Sequence, residues 1–344
     1  MKFVIDRTIP FIEGVFEQHA DVTYCEGSDM CAELVRDADA IITRSRTRCD
    51  AALLEGSKVR MIATATTVTG HIDMDFCQSR GIFVTTSAGS NAGAVMNYVF
   101  SALYGVAARK GILLSDMTFG IIGAGNVGRK VATMARKLGF KVMTCDPYIS
   151  GSEASAGNCR LETLLSESNI VSLHASLNES TVNLADSSFF DMMRPGAIFI
   201  NTANGMMVVE EALSEAREKL GAIIIDTWRN EPDINRDLLA VTDIATPHIA
   251  GYSYSGKQLS TAMAVRSVAR FFGLSGLYSF FPATDISALE AVKLDFRGMN
   301  QGQIASAIQY NYPVFTDDFM FRINPDGFKQ LRDNYSYRRE FYTD

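Results

Sequence analysis

The segment Thr118-Phe-Gly-Ile-Ile-Gly-Ala-Gly-Asn-Val-Gly-Arg129 constrains this chain more than any other. An apolar run that reads as a strand ends in Gly123-x-Gly125-x-x-Gly128, and a helical pattern over residues 127–138 begins inside the motif. Gly123 permits a sharp turn, Gly125 lets the backbone approach a diphosphate, and Gly128 lets helix and strand pack closely. The helix start, with Asn126 and Val127, offers unpaired N–H groups and a partial positive charge to an anion. A second strand, residues 141–145, leads to Asp146, about 20 residues on, where a carboxylate can accept a ribose 2′-hydroxyl. This order predicts a dinucleotide site. The Asp146 charge would repel an added 2′-phosphate, so NAD is expected rather than NADP. At this point a methyltransferase on the same fold is the competing reading.

The rest of the chain repeats the alternation. Residues 3–6, 40–43, 61–65 and 83–85 read as strands, with helix-spaced apolar residues at 11–18 and 50–55 between them. A long uncharged helical pattern at 91–108 is expected to be buried between domains. Strands at 118–123, 141–145, 170–173, 197–201, 222–226 and 244–245 follow, and helix resumes at 256–272. Such alternation implies parallel sheets with helices on both faces. The expected fold is α/β, with two doubly wound, Rossmann-type domains and a small C-terminal α+β unit. The expected boundaries are 1–92 with 253–274 for a flavodoxin-like substrate domain, 93–252 for the NAD domain and 275–344 for the last unit. That aromatic and charged terminal unit is too small to bury itself and is expected to dimerise; a packed extension of a monomer is the alternative.

Composition narrows the function. A net charge of -7 argues against a general nucleic-acid binder. No apolar run approaches the ~20 residues of a membrane span, and the N-terminus carries no signal-peptide pattern. The six cysteines form no C-x-x-C pair and no zinc spacing, so reduced, mostly buried thiols in a cytoplasmic protein are expected, with no metal.

Two segments that follow strands carry the chemistry: Asp226-Thr-Trp-Arg-Asn-Glu-Pro232 and Thr246-Pro-His-Ile-Ala-Gly-Tyr252. Hydride transfer to a ketone needs a proton donor near neutral pH, and histidine suits that task. A carboxylate orients the ring and stabilises its charged form. His248 and Glu231 can fill these parts if their loops meet; read singly, they are a loop histidine and a surface glutamate.

In order, Gly-x-Gly-x-x-Gly, Asp146-Pro, Ile200-Asn-Thr-Ala203, Asp-x-Trp-x-x-Glu-Pro and Thr-Pro-His-Ile-Ala-Gly resemble the D-2-hydroxy-acid dehydrogenases. Asp39-Ala-Ile-Ile-Thr-Arg-Ser45, Thr64-Ala-Thr66, His248–Ser253 and the terminal Phe328-Lys-Gln-Leu-Arg332 and Tyr337-Arg-Arg-Glu-Phe341 resemble one branch of them, which acts on a phosphorylated hydroxy acid in pyridoxal phosphate synthesis. The resemblance implies two domains with a cleft, a cytoplasmic NAD-dependent homodimer, His248 as proton donor and Glu231 as its partner. It places NAD against Asp146, Thr202, Ala203, Asn204, Asp226 and Gly251, and substrate against Ser45, Thr66 and Tyr252. His174 would lie beside the cofactor, with a core histidine equally open. If the stretch Arg44-Ser-Arg-Thr-Arg48 is extended, Arg44, Arg46 and Arg48 share one face and can hold an anion; a solvated loop is the alternative.

The pattern breaks on the substrate side. Asn204 stands where the family carries the Arg that grips the substrate carboxylate and polarises the reacting carbonyl. Asn lacks the charge and the five-donor fork, and losing such a donor costs on the order of 10²–10³ in rate. Val68, Gly70 and Ala88 also replace usual residues. NAD(H) binding is therefore expected to persist while the substrate has changed or the rate has fallen. Arg229 is one candidate for the missing charge. A non-catalytic NAD(H)-binding descendant is the competing function.

Overall fold

The computed structural model describes residues 1–148, 157–283 and 289–343. The chain divides into two compact units, Met1–Asn91 with Tyr254–Glu290 and Ala92–Ser253 with Ala291–Asp344.

The first unit holds five parallel strands, β1 Lys2–Asp6, β2 Asp21–Cys25, β3 Ala40–Thr43, β4 Met61–Thr64 and β5 Phe83–Thr86, in the order β2-β1-β3-β4-β5. This is the flavodoxin-like doubly wound order. β3 and β4 are buried along their whole length, which is why they read as continuous apolar runs. β2, a half-exposed edge strand whose Asp21-Val-Thr-Tyr-Cys25 text carries no continuous apolar run, escaped the sequence pattern. The helix expected at 11–18 does not form. Phe11 and Gly14 both have positive φ (62° and 82°), and turns take its place. The Tyr254–Phe272 helix packs its Ala264, Val265 and Val268 into the core with Phe3, Ile5 and Ile42.

The second unit holds six parallel strands, β6 Thr118–Ile122, β7 Lys141–Cys145, β8 Ile170–Leu173, β9 Ile198–Asn201, β10 Ala222–Ile225 and β11 Ile244–Ala245. Their order is β11-β10-β9-β8-β6-β7, so the direction of winding reverses between β6 and β8. The Ala92–Lys110 helix is buried from Ala92 through Ala107. Within this unit it packs against the helices Asn126–Lys137, Gln301–Asn311 and Val314–Ile323.

The segment expected to form a terminal unit is shared between these two units. Residues 275–283, 289 and 290 group with the first, and 291–343 with the second; 284–288 and 344 of the expected 275–344 unit lie outside the described residues. β12 Val292–Lys293 pairs in parallel with β13 Phe341–Tyr342. Phe296, Ile308, Tyr312 and Phe341 join the core beneath the Ala92–Lys110 helix, and Phe321 and Phe328 join the one around Trp228 and Leu238. Burying one such side chain contributes about 1.5–3 kcal/mol, which explains how so short a segment is held on its own chain. Of the six cysteines only Cys49 and Cys77 are buried, fewer than expected, and all six are free thiols.

Candidate active site

At the carboxyl end of β6, Gly123 has φ +88°, and a Cβ there would lie 2.4 Å from the backbone nitrogen of Ala175. A Cβ on Gly128 would lie 2.0 Å from the Gly123 carbonyl oxygen, so helix and strand meet at a separation only glycine allows. A Cβ on Gly125 would meet nothing within 4 Å. No side chain caps the Asn126–Lys137 helix, whose first turn opens beside that space. Asp146 follows β7, its Oδ2 accepting from the Ala124 N–H at 2.8 Å and its Oδ1 from the Tyr148 N–H at 2.9 Å. These bonds hold the carboxylate next to the glycine turn.

A cavity of about 240 Å³ lies here, lined by Gly123, Gly125, Asp146, Leu161, His174 and Ser176 among others. It stands where the strand order reverses, the place open α/β sheets use for ligands. His174 is half-buried and forms hydrogen bonds at both ring nitrogens, Nε2 with Ser172 Oγ at 2.8 Å and Nδ1 with Thr202 Oγ1 at 3.5 Å. Burial pushes its pKa down to about 3, so the ring is neutral near pH 7. The open cradle at Gly125 and the fixed carboxylate at Asp146 fit a diphosphate-linked dinucleotide.

The loops after β10 and β11 bring the second pair together. His248 Nδ1 lies 2.7 Å from Glu231 Oε2, and Glu231 Oε1 accepts from the Trp228 N–H at 2.9 Å. His248 has φ +58°, a left-handed conformation that must be held by its surroundings. Asp226 holds it from one side. Its carbonyl oxygen accepts the His248 N–H at 2.8 Å, Oδ1 accepts from Ile249 N–H (2.8 Å) and Thr246 Oγ1 (2.7 Å), and Oδ2 accepts from Ala250 N–H (2.9 Å). Asp226 is 1% exposed, and burial raises its pKa. Its two oxygens thus brace the His248 loop, a use that sequence reasoning, which set it against the cofactor, did not foresee.

Arg338 holds the same loop from the other side. Its guanidinium is buried 4.0 Å from the Tyr312 ring centroid and donates to the carbonyls of Ile249 at 3.1 Å and Ala94 at 3.2 Å, and to that of Ala250. Arg332 donates from Nε to the Tyr252 hydroxyl at 3.2 Å, and its Nη1 is 3.8 Å from Glu231 Oε2. Sequence reasoning missed both arginines. Their only signal was the cationic terminal text, which it assigned to an interface.

Asn204 caps the short turn Gly205–Met207, its Oδ1 accepting the Met206 N–H at 2.9 Å. A Cβ on Gly205 would overlap the Trp228 backbone at 1.9 Å, so this loop abuts the segment that carries Glu231. Arg229 does not supply the missing charge. Its Nη1 donates to the Val208 carbonyl at 2.8 Å and its Nη2 to Asn183 Oδ1 at 2.7 Å. Ala203 donates its N–H to Asn201 Oδ1 at 3.1 Å, and Gly251 lies in the turn before Tyr252.

In the first unit, Arg44, Ser45 and Thr66 follow the paired strands β3 and β4 at their carboxyl edge, with Ala65 N–H bonded to the Thr43 carbonyl at 2.9 Å. Thr66 Oγ1 donates to the Val68 carbonyl at 3.0 Å. Residues 45 and 46 form a turn, so the stretch is not extended and the three arginines do not share a face. Arg44 bonds the Thr8 carbonyl at 2.9 Å, and Arg48 pairs with Asp50 at 2.7 Å. Among the described residues no cluster of three or more His, Cys, Asp or Glu could hold a metal, and no helix is long and apolar enough to cross a membrane.

A dinucleotide crevice at a doubly wound sheet, with a His–Glu pair in the same unit, is the arrangement of an NAD-dependent dehydrogenase. Residues 100–250 match the family described as D-isomer specific 2-hydroxyacid dehydrogenase, NAD binding domain. The chain is 40% identical over 347 residues to the erythronate-4-phosphate dehydrogenase of Bacteroides fragilis, covering 99% of this chain and 97% of that one. It is 34% identical to the Escherichia coli protein of that name, over 99% and 92% of the two chains. Among solved structures, NAD+-bound 3-phosphoglycerate dehydrogenase of Entamoeba histolytica superposes with a TM-score of 0.66 at 25% identity, covering 81% of this chain and 97% of that one. The chain belongs to the D-isomer-specific 2-hydroxyacid dehydrogenases, in the erythronate-4-phosphate dehydrogenase branch.

Proposed function

We propose that the protein oxidises 4-phosphoerythronate to 2-oxo-3-hydroxy-4-phosphobutanoate, a step toward pyridoxal phosphate, as a cytoplasmic homodimer. NAD, when bound, supplies the hydride acceptor. Asp146 would hold the adenosine ribose, the Gly123–Gly128 turn with Asn126 and Val127 would hold the diphosphate, and His174, Thr202, Ala203 and Gly251 would hold the nicotinamide half. Asp226 acts through the loop it braces. His248 Nδ1–H is donated to Glu231, which leaves Nε2 to take the substrate hydroxyl proton as the C2–H leaves as hydride. In the reverse direction Nε2 returns the proton to the alkoxide. Ser45, Thr66, Arg44, Arg46 and Tyr252 are assigned to the anionic substrate. Exposed Tyr310 (82%), Phe319 (61%) and Ile323 (59%), the last two one helical turn apart, support a dimer face on the terminal helices.

The observation that carries this reading is the 2.7 Å His248–Glu231 contact on a braced loop. In His248→Ala, turnover should fall by about 10²–10⁴, the usual worth of a positioned acid–base group, while NADH binding measured by fluorescence stays intact. Undiminished turnover would remove the assignment.

The role of Asn204 Oδ1 as a turn cap favours a second reading, an NAD(H)-binding homologue with a changed substrate or slowed catalysis. Tight NADH binding with no turnover of 4-phosphoerythronate or a panel of 2-hydroxy and 2-oxo acids would select it.

A further inference from the structure

The second unit holds a catalytic carboxylate and lacks the cation expected at Asn204. A substrate carboxylate entering beside Glu231 would be repelled unless another positive charge intervenes. Three arginines stand near His248. Arg229 is engaged by the Val208 carbonyl and Asn183. Arg338 is buried and engaged by the carbonyls of Ala94, Ile249 and Ala250.

Arg332 differs from both. Its Nη1 approaches Glu231 Oε2, the oxygen that also meets His248 Nδ1, only to 3.8 Å, too long for a hydrogen bond. Among the described residues the guanidinium's one hydrogen bond is from Nε to the Tyr252 hydroxyl, so Nη1 and Nη2 keep their donors. The side chain is 34% exposed, partly withdrawn from water yet reachable. A guanidinium in that state matches a carboxylate in two-point geometry, which an ammonium or an amide does not.

We propose that Arg332, delivered by the C-terminal segment, replaces the missing arginine. Its guanidinium binds the carboxylate and 2-oxygen end of the hydroxy acid beside His248, with Tyr252 holding its Nε edge. This rests on the reading of His248 and Glu231 as the acid–base pair. It also explains how Asn204 can serve as a turn cap without emptying the site of positive charge.

The test compares the full-length protein with Arg332→Gln, Arg332→Lys and the double variant Arg332→Gln/Asn204→Arg. Calorimetry would measure binding of 4-phosphoerythronate, and of D-erythronate without the phosphate, to the NADH complex; steady-state oxidation of both would run beside it. Arg332→Gln should weaken both ligands by the same factor, roughly 10- to 100-fold, the worth of a lost charged hydrogen-bonding pair. NADH affinity should stay unchanged, and the double variant should recover part of the loss. If Arg332→Gln does not fold, Arg332→Lys, a point charge in place of a fork, should still lose roughly tenfold.

Unchanged ligand binding in the folded variants would overturn the proposal. A loss confined to 4-phosphoerythronate would too, by moving Arg332 to the phosphate. Failure of the native protein to bind either compound would leave Arg332 no such acid to hold and would end the idea as well. Failure of the underlying reading looks different: His248→Ala would then keep turning over, whatever Arg332→Gln does to binding.

Discussion

The nucleotide crevice and the acid–base pocket of the second unit are built in opposite ways. The glycine turn and carboxylate of the crevice come from one continuous stretch, β6 to Asp146, and work through glycines, main-chain N–H groups and a single carboxylate held by main-chain bonds; His174 lines the crevice from beyond that stretch. The pocket is assembled from Asn204, Glu231, His248, Tyr252, Arg332 and Arg338, spread over more than 130 positions. A site made of backbone offers little room for exchange, because a single Cβ at Gly123 or Gly128 collides with main-chain atoms. A site made of side chains can lose a group at one position and take it from another element. Asn204 and Arg332 stand in that relation under the proposal above.

The largest expected effect would separate the two regions. In Gly125→Val the new side chain meets no protein atom near its Cβ, so the thermal midpoint should hold. NADH affinity, read by fluorescence titration, should fall by about 100-fold or more as the diphosphate loses the close backbone approach. Retained affinity would mean that the cradle is not where the dinucleotide lies.

Arg338→Gln should do the reverse. It strips donors from the buried carbonyls of Ile249 and Ala250, and takes the Arg338 charge away from half-buried Asp317, whose pKa burial already raises. A stability loss of about 3 kcal/mol, measured by urea unfolding, is expected from such buried groups. As the His248 loop loosens, kcat should fall by about tenfold, since a small misplacement of a catalytic group is costly. NADH affinity in the protein that remains folded should be unchanged; a parallel loss would show that the two regions are not separable.

The smallest effect concerns His174, which belongs to the crevice and touches the Thr202 loop of the pocket. Its pKa falls from an ordinary 6.5 to about 3 in the folded protein because of burial. The unfolded chain therefore binds the proton more readily. The stability contributed by the neutral ring is complete above pH 6.5 and is lost as the pH falls toward 3. For a half-buried ring the difference is about 1 kcal/mol or less after allowance for solvent. His174→Asn should flatten the acid limb of the unfolding profile by that amount; an unchanged limb would place the acid sensitivity elsewhere.

Much of this is legible in the amino-acid sequence. The glycine spacing requires a turn with positive φ and a close helix, both of which formed. The central strands of both sheets were legible because burial on two faces leaves continuous apolar runs; the half-exposed edge strands leave a weaker trace, and of these β5 and β7 were read while β2 was missed. The turns at Phe11 and Gly14 overrode a helical apolar spacing, since spacing carries no information on φ.

By itself, the sequence determined the doubly wound architecture, the dinucleotide turn and the identities of the His248 and Glu231 pair. These depend on local periodicity and on residue types that few other chemistries need. Only the tertiary structure decided that the two side chains meet, that Asp226 and Arg338 grip the loop between them, that Arg229 is engaged by Val208 and Asn183, and that Arg332 stands beside Glu231. The reason is physical. A side chain's partners at long sequence separation follow from how packed elements are placed in space, and no spacing rule within one element records that placement.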